Sequence, residues 1–214
     1  MLKPRKSMAD YRQERAAAAV GRSPLAGVDE AGRGPWAGPV VAAAVILDPN
    51  DIPDGIADSK TLSEAQRERV FDEISRTAHV GIGIVSAAEI DDINILNATM
   101  AAMRIALANL PVRPMLALID GNRVPGSDVP CRAIIRGDAT CLSIAAASII
   151  AKVTRDRLMI ELGRQHPGYG FERHKGYGTP EHQRSIVELG VMAEHRKTFK
   201  PIRFALSEET RVEK

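Results

Sequence analysis

The chain has 214 residues, of which 44% are hydrophobic, 26% charged and 4% aromatic. At about 100–200 residues per domain, these values indicate one folded domain and exclude a disordered or fibrous chain. With 29 Lys and Arg against 27 Asp and Glu, the formal net charge is only +2. Any affinity for a polyanion must therefore depend on where the charges lie, not on their sum.

Several features bear on where the protein acts. No apolar run approaches the ~20 residues that cross a bilayer, and the N-terminus lacks an apolar stretch with a cleavage site. The two cysteines, Cys131 and Cys141, lack the spacing of a zinc site. We therefore expect reduced thiols and a cytoplasmic protein. A monomer is expected, because no heptad or large apolar repeat requires a second copy.

The chain begins with a basic segment. Residues 1–22 carry six basic side chains against two acidic ones, a net charge of +4. The run 14–19 suits a helical turn, and Pro24 ends the segment. We expect residues 1–24 to form a loose basic N-terminal arm.

Strand and helix patterns alternate along the rest of the chain. Short apolar runs predict strands, whereas capping-box patterns at Ser63–Gln66 and Ser86–Glu89 predict helix starts. Thr179 before Pro180 predicts another helix start. The expected strands are 25–30, 40–47, 80–85, 115–120 and 132–136, and the expected helices are 63–78, 95–110, 141–163 and 179–190.

The order of these elements indicates an α/β fold. Strands that follow each other directly are expected to pair antiparallel, and strands separated by a helix are expected to pair parallel. A mixed sheet flanked by helices follows. From Ser207 onwards the chain is rich in charged residues, and we expect residues 207–214 to be a frayed tail.

Acidic residues stand where three apolar strands end: Asp29 with Glu30, then Asp120, then Asp138. Individually, Asp120 also suits a turn and Asp138 a helix N-cap. Gathered at neighbouring strand ends, the carboxylates would repel one another unless cations held them. Such oxygen ligands suit Mg²⁺ or Mn²⁺, and two such ions can clamp the reacting oxygens of a phosphodiester. Because adjacent strand residues point to opposite faces, we expect the strand to end or bulge at Asp29 and Glu30.

Two other segments suit nucleic acid. In Gly32-Arg33-Gly34 the glycines allow close backbone approach and Arg33 can hold a phosphate, although a simple turn explains the same residues. Tyr177, between two glycines, offers a platform for a base or sugar unless it packs under the sheet.

Basic residues of the C-terminal half form a candidate phosphate track, for which the alternative is a set of solvated helix faces. Lys60 is a further candidate for contact with the nucleic-acid backbone. Nothing in the sequence places a histidine as a base. The track consists of Lys152, Arg155, Arg157, Arg164, Arg173, Lys175, Arg196, Lys197, Lys200 and Arg203.

Six motifs carry a family resemblance. They are GVDEAGRGPWAGPVV at 27–41, DSK at 58–60, LIDGN at 118–122, GD at 137–138, SIAAASIIAK at 143–152 and KGYGT at 175–179. In this order the motifs resemble bacterial ribonuclease HII, the type 2 ribonuclease H, and the resemblance covers about residues 25–200.

The resemblance implies a ribonuclease H-like fold for residues 25–206, with a mixed five-stranded sheet flanked by helices and a helical C-terminal extension. It implies endonucleolytic cleavage of RNA in RNA–DNA hybrids and incision 5′ of single ribonucleotides in duplex DNA, leaving 3′-hydroxyl and 5′-phosphate ends. It also implies a two-metal site for Mn²⁺ or Mg²⁺ that substrate completes. The matches to the family's active-site carboxylates are Asp29, Glu30, Asp120 and Asp138, and the matches to its junction-sensing residues are Gly32, Arg33, Gly34 and Tyr177.

There are two rival interpretations. Ribonuclease HIII is similar at the acidic motifs but carries an extra N-terminal substrate-binding domain. Only 24 residues precede the first strand here, so we expect ribonuclease HII and not ribonuclease HIII. The second rival is a non-cleaving module that binds hybrids and uses its acidic residues only for structure.

Overall fold

The computed structural model describes residues 9–57 and 59–212. None of its described helices is both long enough and apolar enough to cross a bilayer. The strands are β1 (Leu25–Ala31), β2 (Val40–Ile46), β3 (His79–Val85), β4 (Leu116–Asp120) and β5 (Cys131–Ile134). The helices are α1 (Arg12–Ala19), α2 (Glu64–Thr77), α3 (Ala87–Ala108), α4 (Leu142–Gln165), α5 (Phe171–His174), α6 (Pro180–Leu189) and α7 (Lys200–Val212), with 3₁₀ turns at Ser59–Thr61 and Gly137–Ala139.

The five strands form one mixed sheet in the order β3-β2-β1-β4-β5, which confirms the predicted fold class. In this sheet β1 pairs parallel with β4, and β4 pairs parallel with β5. On the other side, β1 pairs antiparallel with β2, and β2 with β3. The carboxyl ends of β1, β4 and β5 consequently meet at one edge of the sheet, which we call the carboxyl edge.

Two of the predicted strand directions are wrong. β4 and β5 follow each other directly yet run parallel, because residues 121–130 return along the sheet in place of a crossover helix. β2 and β3 flank α2 yet run antiparallel. Here the long loop after β2 runs back to the carboxyl edge, where Ser59 contacts Ser148 of α4, and α2 then returns the chain to the end of β2.

The predicted helix starts are confirmed. Ser63 and Ser86 both form complete capping boxes, and Thr179 accepts a hydrogen bond from the backbone of His182. Within α3, Asn94 adopts a left-handed backbone (φ 65°) and its side chain caps the second stretch of helix. This kink explains why the sequence pattern shows a capping box at 86–89 and a separate periodic helix from about 95.

Helices cover both faces of the sheet. α3 packs on one face through an apolar cluster that includes Val28 and Ile119. α4 packs on the other face, with α2 beside it. At Gly27 the α4 backbone comes so close that a Cβ would lie 2.1 Å from the carbonyl carbon of Ser143. Gly27 therefore sets how closely α4 approaches β1.

The chain ends are more ordered than the sequence predicts. α1 docks against the start of α4, where the buried carboxylate of Glu14 accepts a hydrogen bond from the Ser143 backbone at 2.8 Å. Residues 9–24 are thus not a loose arm, and residues 1–8 lie outside the described part of the chain. α7 continues past Ser207 to Val212, where a frayed tail was expected, and residues 213–214 are not described.

Adding one methyl group at Gly27 should be severely destabilising. We expect Gly27→Ala to lower the free energy of unfolding by about 3 kcal/mol or more, because α4 backbone cannot yield as a flexible side chain would. Gly126→Ala is the control, since its Cβ meets nothing within 4 Å and only its positive φ of 63° opposes it, at about 1–2 kcal/mol. Urea unfolding measures both, and equal losses would contradict the close approach of α4.

Candidate active site

The carboxyl edge brings the predicted acidic residues near one another. Val28 pairs with Ile119, so Asp29 and Asp120 occupy the next positions on neighbouring parallel strands. Both face α4, as Gly27 and Leu118 do two residues earlier on their strands. In the turn after β5, the backbone N–H groups of Gly137 and Asp138 donate to Asp120 Oδ1 at 2.7 and 3.4 Å.

The prediction that β1 ends or bulges at its acidic pair is wrong. Asp29, Glu30 and Ala31 continue a regular ladder with β2. Asp29 therefore points toward α4, whereas Glu30 points to the opposite face and pairs with Arg33 at 3.2 Å. Because Glu30 lies at the end of the sheet, it is still within electrostatic reach of Asp120. The acidic residues therefore lie on both faces of the sheet at the end of β1, and not on one face.

Burial and mutual repulsion disfavour the charged forms of these residues. Desolvation raises the pKa of Asp29 well above its ordinary value, and the charges of Glu30 and Asp120 raise it further. Burial also raises the pKa of Glu30, an effect that Arg33 opposes. The pKa of Asp120 is raised by burial and then by the charge of Asp138. The four carboxyl groups therefore form one electrostatically linked set.

The donor chemistry of this set suits a divalent cation. Carboxylate oxygens are the ligands that Mg²⁺ and Mn²⁺ prefer, and a cation would relieve the repulsion that raises these pKa values. Across residues 9–57 and 59–212, no group of three or more His, Cys, Asp or Glu side chains is already arranged to hold a metal ion. The carboxyl groups are thus neighbours without forming a preformed cage.

Ser148 contacts Asp29 and is itself bonded by Ser59, and sequence reasoning missed both serines. Ser148 on α4 hydrogen-bonds the Asp29 carboxyl group. Its hydroxyl also lies 2.7 Å from the buried hydroxyl of Ser59. A serine within the apolar run of α4 was the available signal, since a buried hydroxyl needs a partner. Asp58 and the side chain of the predicted contact residue Lys60 lie outside the described part of the structure.

The loop that contains Gly32, Arg33 and Gly34 is held from inside by Arg196. This guanidinium is fully buried and donates to the carbonyl oxygens of Gly32 (2.6 Å), Arg33 (3.0 Å) and Gly38 (2.9 and 3.0 Å). Burial lowers the pKa of Arg196 to about 9. The prediction that Arg196 contacts phosphate is therefore wrong, because its donors are used within the protein.

Arg155 holds the far end of this loop in the same way, by donating hydrogen bonds to backbone carbonyl oxygens. It is 1% exposed and donates to the carbonyl oxygens of Ala37 (3.2 Å), Pro39 (2.9 Å) and Lys175 (3.0 Å). Arg155 is therefore not part of a phosphate track either. Its aliphatic stem fills the space beside Gly32, whose positive φ of 96° and absent Cβ allow this packing.

Most of the other predicted track residues bind acidic partners or backbone. Lys152 pairs with Asp156 at 2.6 Å, and Arg157 lies over the Phe71 ring while pairing with Glu68. Arg164 pairs with Glu161, Arg173 with Glu172 and Glu181, and Lys175 donates to the Glu172 carbonyl. Lys197, Lys200 and Arg203 are exposed near the start of α7.

Tyr177 projects beside the glycine loop. Its side chain is 47% exposed, so the alternative that it packs under the sheet is wrong. A Cβ on Gly34 would lie 3.7 Å from the Tyr177 ring. The Tyr177 segment is packed tightly on Trp36, since a Cβ on Gly178 would lie 2.1 Å from the indole ring. The backbone N–H of Trp36 also donates to the Gly176 carbonyl at 2.8 Å.

Comparisons with known proteins agree on one family. The family model for ribonuclease HII matches residues 26–206. The ribonuclease HII of Parvibaculum lavamentivorans is 55% identical over 207 residues, which cover 96% of this chain and 76% of that protein. Among solved structures, ribonuclease H2 from Pyrococcus horikoshii has a TM-score of 0.74 at 29% identity, covering 87% of this chain and 98% of that one. Bst-RNase HIII, solved in complex with Mn²⁺, has a TM-score of 0.72 at 22% identity, covering 92% and 73%, and is thus similar in fold.

Neutralising Asp29 should stabilise the protein when divalent cations are removed. Folding raises the pKa of Asp29 above its ordinary value of 3.8. Asp29 therefore lowers the free energy of unfolding progressively as the pH rises from 3.8 through the raised pKa. We expect Asp29→Asn, in chelator at pH 7.5, to raise Tm by about 2–4 °C or more, with a smaller difference near pH 4.

Asp156→Asn provides the matched control, because this buried aspartate on α4 has a cationic partner in Lys152. It should lower Tm in the same buffer. A lower Tm for Asp29→Asn as well would contradict the prediction, because it would show that the charged Asp29 carboxylate does not destabilise the folded protein.

Proposed function

Because the chain belongs to the ribonuclease HII family, and is therefore a metal-dependent ribonuclease H that cleaves the RNA strand of RNA–DNA hybrids, we propose that it also incises duplex DNA 5′ of a single embedded ribonucleotide. The products would carry 3′-hydroxyl and 5′-phosphate ends. The observation that carries this proposal is the position of Tyr177 beside Gly34, in the loop whose Arg33 pairs with Glu30 at the carboxyl edge. A ring that contacts one sugar and a backbone that contacts its neighbour can together read an RNA–DNA junction.

The glycine loop is suited to read the 2′-hydroxyl group, which distinguishes RNA from DNA at a nucleotide. In a trans peptide, the carbonyl of one residue and the N–H of the next point in opposite directions. Arg196 binds the carbonyls of Gly32 and Arg33 from inside, so the N–H groups of Arg33 and Gly34 point away from it. Without a side chain at Gly34, a sugar can approach these donors closely.

Tyr177 would read the nucleotide beside it. Its exposed ring is free to stack on a deoxyribose, where an added 2′-hydroxyl would clash. Arg33 is half exposed and already next to Glu30, so it is placed to contact a phosphate near the carboxyl edge. Lys60 stays a proposed contact to the nucleic-acid backbone.

Asp29, Glu30, Asp120 and Asp138 would hold the divalent cations. Two such cations, Mn²⁺ or Mg²⁺, would supply activation of the attacking water and stabilisation of the leaving 3′ oxygen, and substrate oxygens would complete their ligand set. The protein orients its own ligands beforehand. Ser148 and the backbone of Glu30 bond the Asp29 carboxyl group, and the backbone of Gly137 bonds Asp120.

Removing one ligand charge should stop cleavage without unfolding the protein. Asp120→Asn keeps the Oδ1 that accepts from Gly137 but loses a metal-binding charge. We expect it to reduce the turnover number on an RNA–DNA hybrid in Mg²⁺ or Mn²⁺ by about 100-fold or more. Asp128→Asn, at an exposed loop position, should cleave normally.

Circular dichroism and thermal unfolding would confirm that both aspartate variants are folded. Near wild-type turnover by Asp120→Asn would show that Asp120 only forms a turn and does not bind a catalytic metal ion. Binding of hybrid by the wild-type protein without nicking in either metal would favour the non-cleaving module.

Removing the Tyr177 ring should selectively weaken junction cleavage. We expect Tyr177→Ala to lower the ratio of single-ribonucleotide incision to all-RNA hybrid cleavage by about 5- to 100-fold, the range of one lost stacking contact. Tyr177→Phe keeps the ring and should retain most of this ratio. An unchanged ratio for Tyr177→Ala would remove Tyr177 from the recognition mechanism.

A further inference from the structure

A cluster of buried histidines lies beneath the Tyr177 segment, and no part of the proposed chemistry uses it. His182 and His195 are fully buried, and His174 is 8% exposed. The rings of His174 and His182 stack at a centroid distance of 4.5 Å, and the ring centroids of His182 and His195 lie 5.2 Å apart. Three imidazoles in one apolar pocket are costly unless each polar nitrogen has a partner.

A series of hydrogen bonds runs from Met192 through His195 and His182 to Tyr177. It determines which nitrogen of each imidazole ring carries the proton. The backbone N–H of Met192 can only donate, so His195 Nδ1 accepts (3.0 Å) and His195 carries its proton on Nε2. That proton is directed at His182 Nε2 (3.0 Å), which must accept. His182 consequently carries its proton on Nδ1 and donates it to the Tyr177 carbonyl oxygen (3.0 Å).

This chain of hydrogen bonds, which we call the histidine relay, exists only when both rings are neutral. A second proton on His182 would face the N–H of His195, and a second proton on His195 would face the N–H of Met192. Burial lowers the pKa of both rings to about 4, in line with neutral imidazoles at physiological pH. The relay therefore acts as a fixed donor to Tyr177, with no role for a histidine as a base.

The backbone at Tyr177 depends on such external anchors. Lys175 and Gly176, which precede it, both have positive φ angles, 53° and 82°. About half of Tyr177 is exposed, so packing covers only part of its surface and the backbone contributes to the direction of the ring. Besides the bond from His182, the carbonyl accepts the N–H of Thr179 at 2.8 Å, and the Tyr177 N–H donates to the His174 carbonyl at 2.9 Å.

We propose that His182 and His195 are positioning residues for junction recognition: through the relay they hold the Tyr177 backbone, and thereby place the Tyr177 ring opposite Gly34. The proposal rests on the role of Tyr177 proposed above. It assigns specificity to two histidines that never touch the nucleic acid.

The tautomers provide a test that does not depend on activity. In the full-length protein labelled with ¹⁵N-histidine, long-range ¹H–¹⁵N spectra at neutral pH should show protonated Nδ1 for His182 and protonated Nε2 for His195. Single His→Gln variants assign the signals. A protonated Nε2 on His182, or a charged ring at either position, would overturn the relay while leaving the proposed function intact.

The effect on specificity is measured by the same cleavage ratio, with Tyr177→Ala in parallel. His182→Leu removes the donor to the Tyr177 carbonyl and should lower the ratio by about fivefold or more. His182→Asn should restore most of the ratio, because its amide N–H lies close to the position of Nδ1. Ser185→Ala is the matched control: this buried serine lies one turn further along α6 and does not bond Tyr177, so the ratio should not change.

The outcomes separate the two proposals. A ratio that falls in Tyr177→Ala but not in His182→Leu overturns the relay alone. A ratio unchanged in both overturns the role of Tyr177 and the relay with it. An equal fall in Ser185→Ala would show a general packing effect and would also overturn the relay. Should His182→Leu fail to fold, His195→Leu replaces it, since it removes the donor to His182 Nε2 and leaves the His182 ring in place.

Discussion

The arrangement depends on one unfavourable interaction: acidic side chains buried next to one another at the end of a sheet. Burial and neighbouring charge both raise the pKa of Asp29, and Asp120 is affected in the same way by Asp138. Such repulsion lowers stability unless cations bind, so the rest of the fold must hold these groups in place. The parallel pairing of β1, β4 and β5 does so by bringing three strand ends to the same edge.

A second set of buried charges organises the recognition side. Arg155 and Arg196 are cations removed from water, which is costly unless every donor finds a partner. Both find partners among backbone carbonyls of the glycine loop, and Arg155 also reaches the Tyr177 segment at Lys175. The two arginines thus join parts of the chain that are more than one hundred residues apart. The histidine relay adds a third connection, from α6 and the segment before α7 to Tyr177.

Much of the local structure could be read from the sequence because its causes are local. The capping boxes at Ser63 and Ser86 involve residues three apart, and the five apolar runs all form strands. The directions of the strands were harder to predict from the sequence. Whether β2 and β3 run parallel depends on the path of the loop between them, which is anchored at Ser59 by a contact with α4. The regular pairing at Glu30 likewise depends on β2 and not on the glycines that follow.

The sequence by itself determined the fold class and the family, and it singled out four acidic residues that the structure brings near one another. These features depend on apolar periodicity and on motifs that are contiguous along the chain. Only the tertiary structure decided what the basic and histidine residues do. Arg196 and Lys197 are neighbours in the sequence, yet the first is fully buried against carbonyls and the second is exposed. The role of a polar side chain is set by the partners around it, and here distant segments supply those partners.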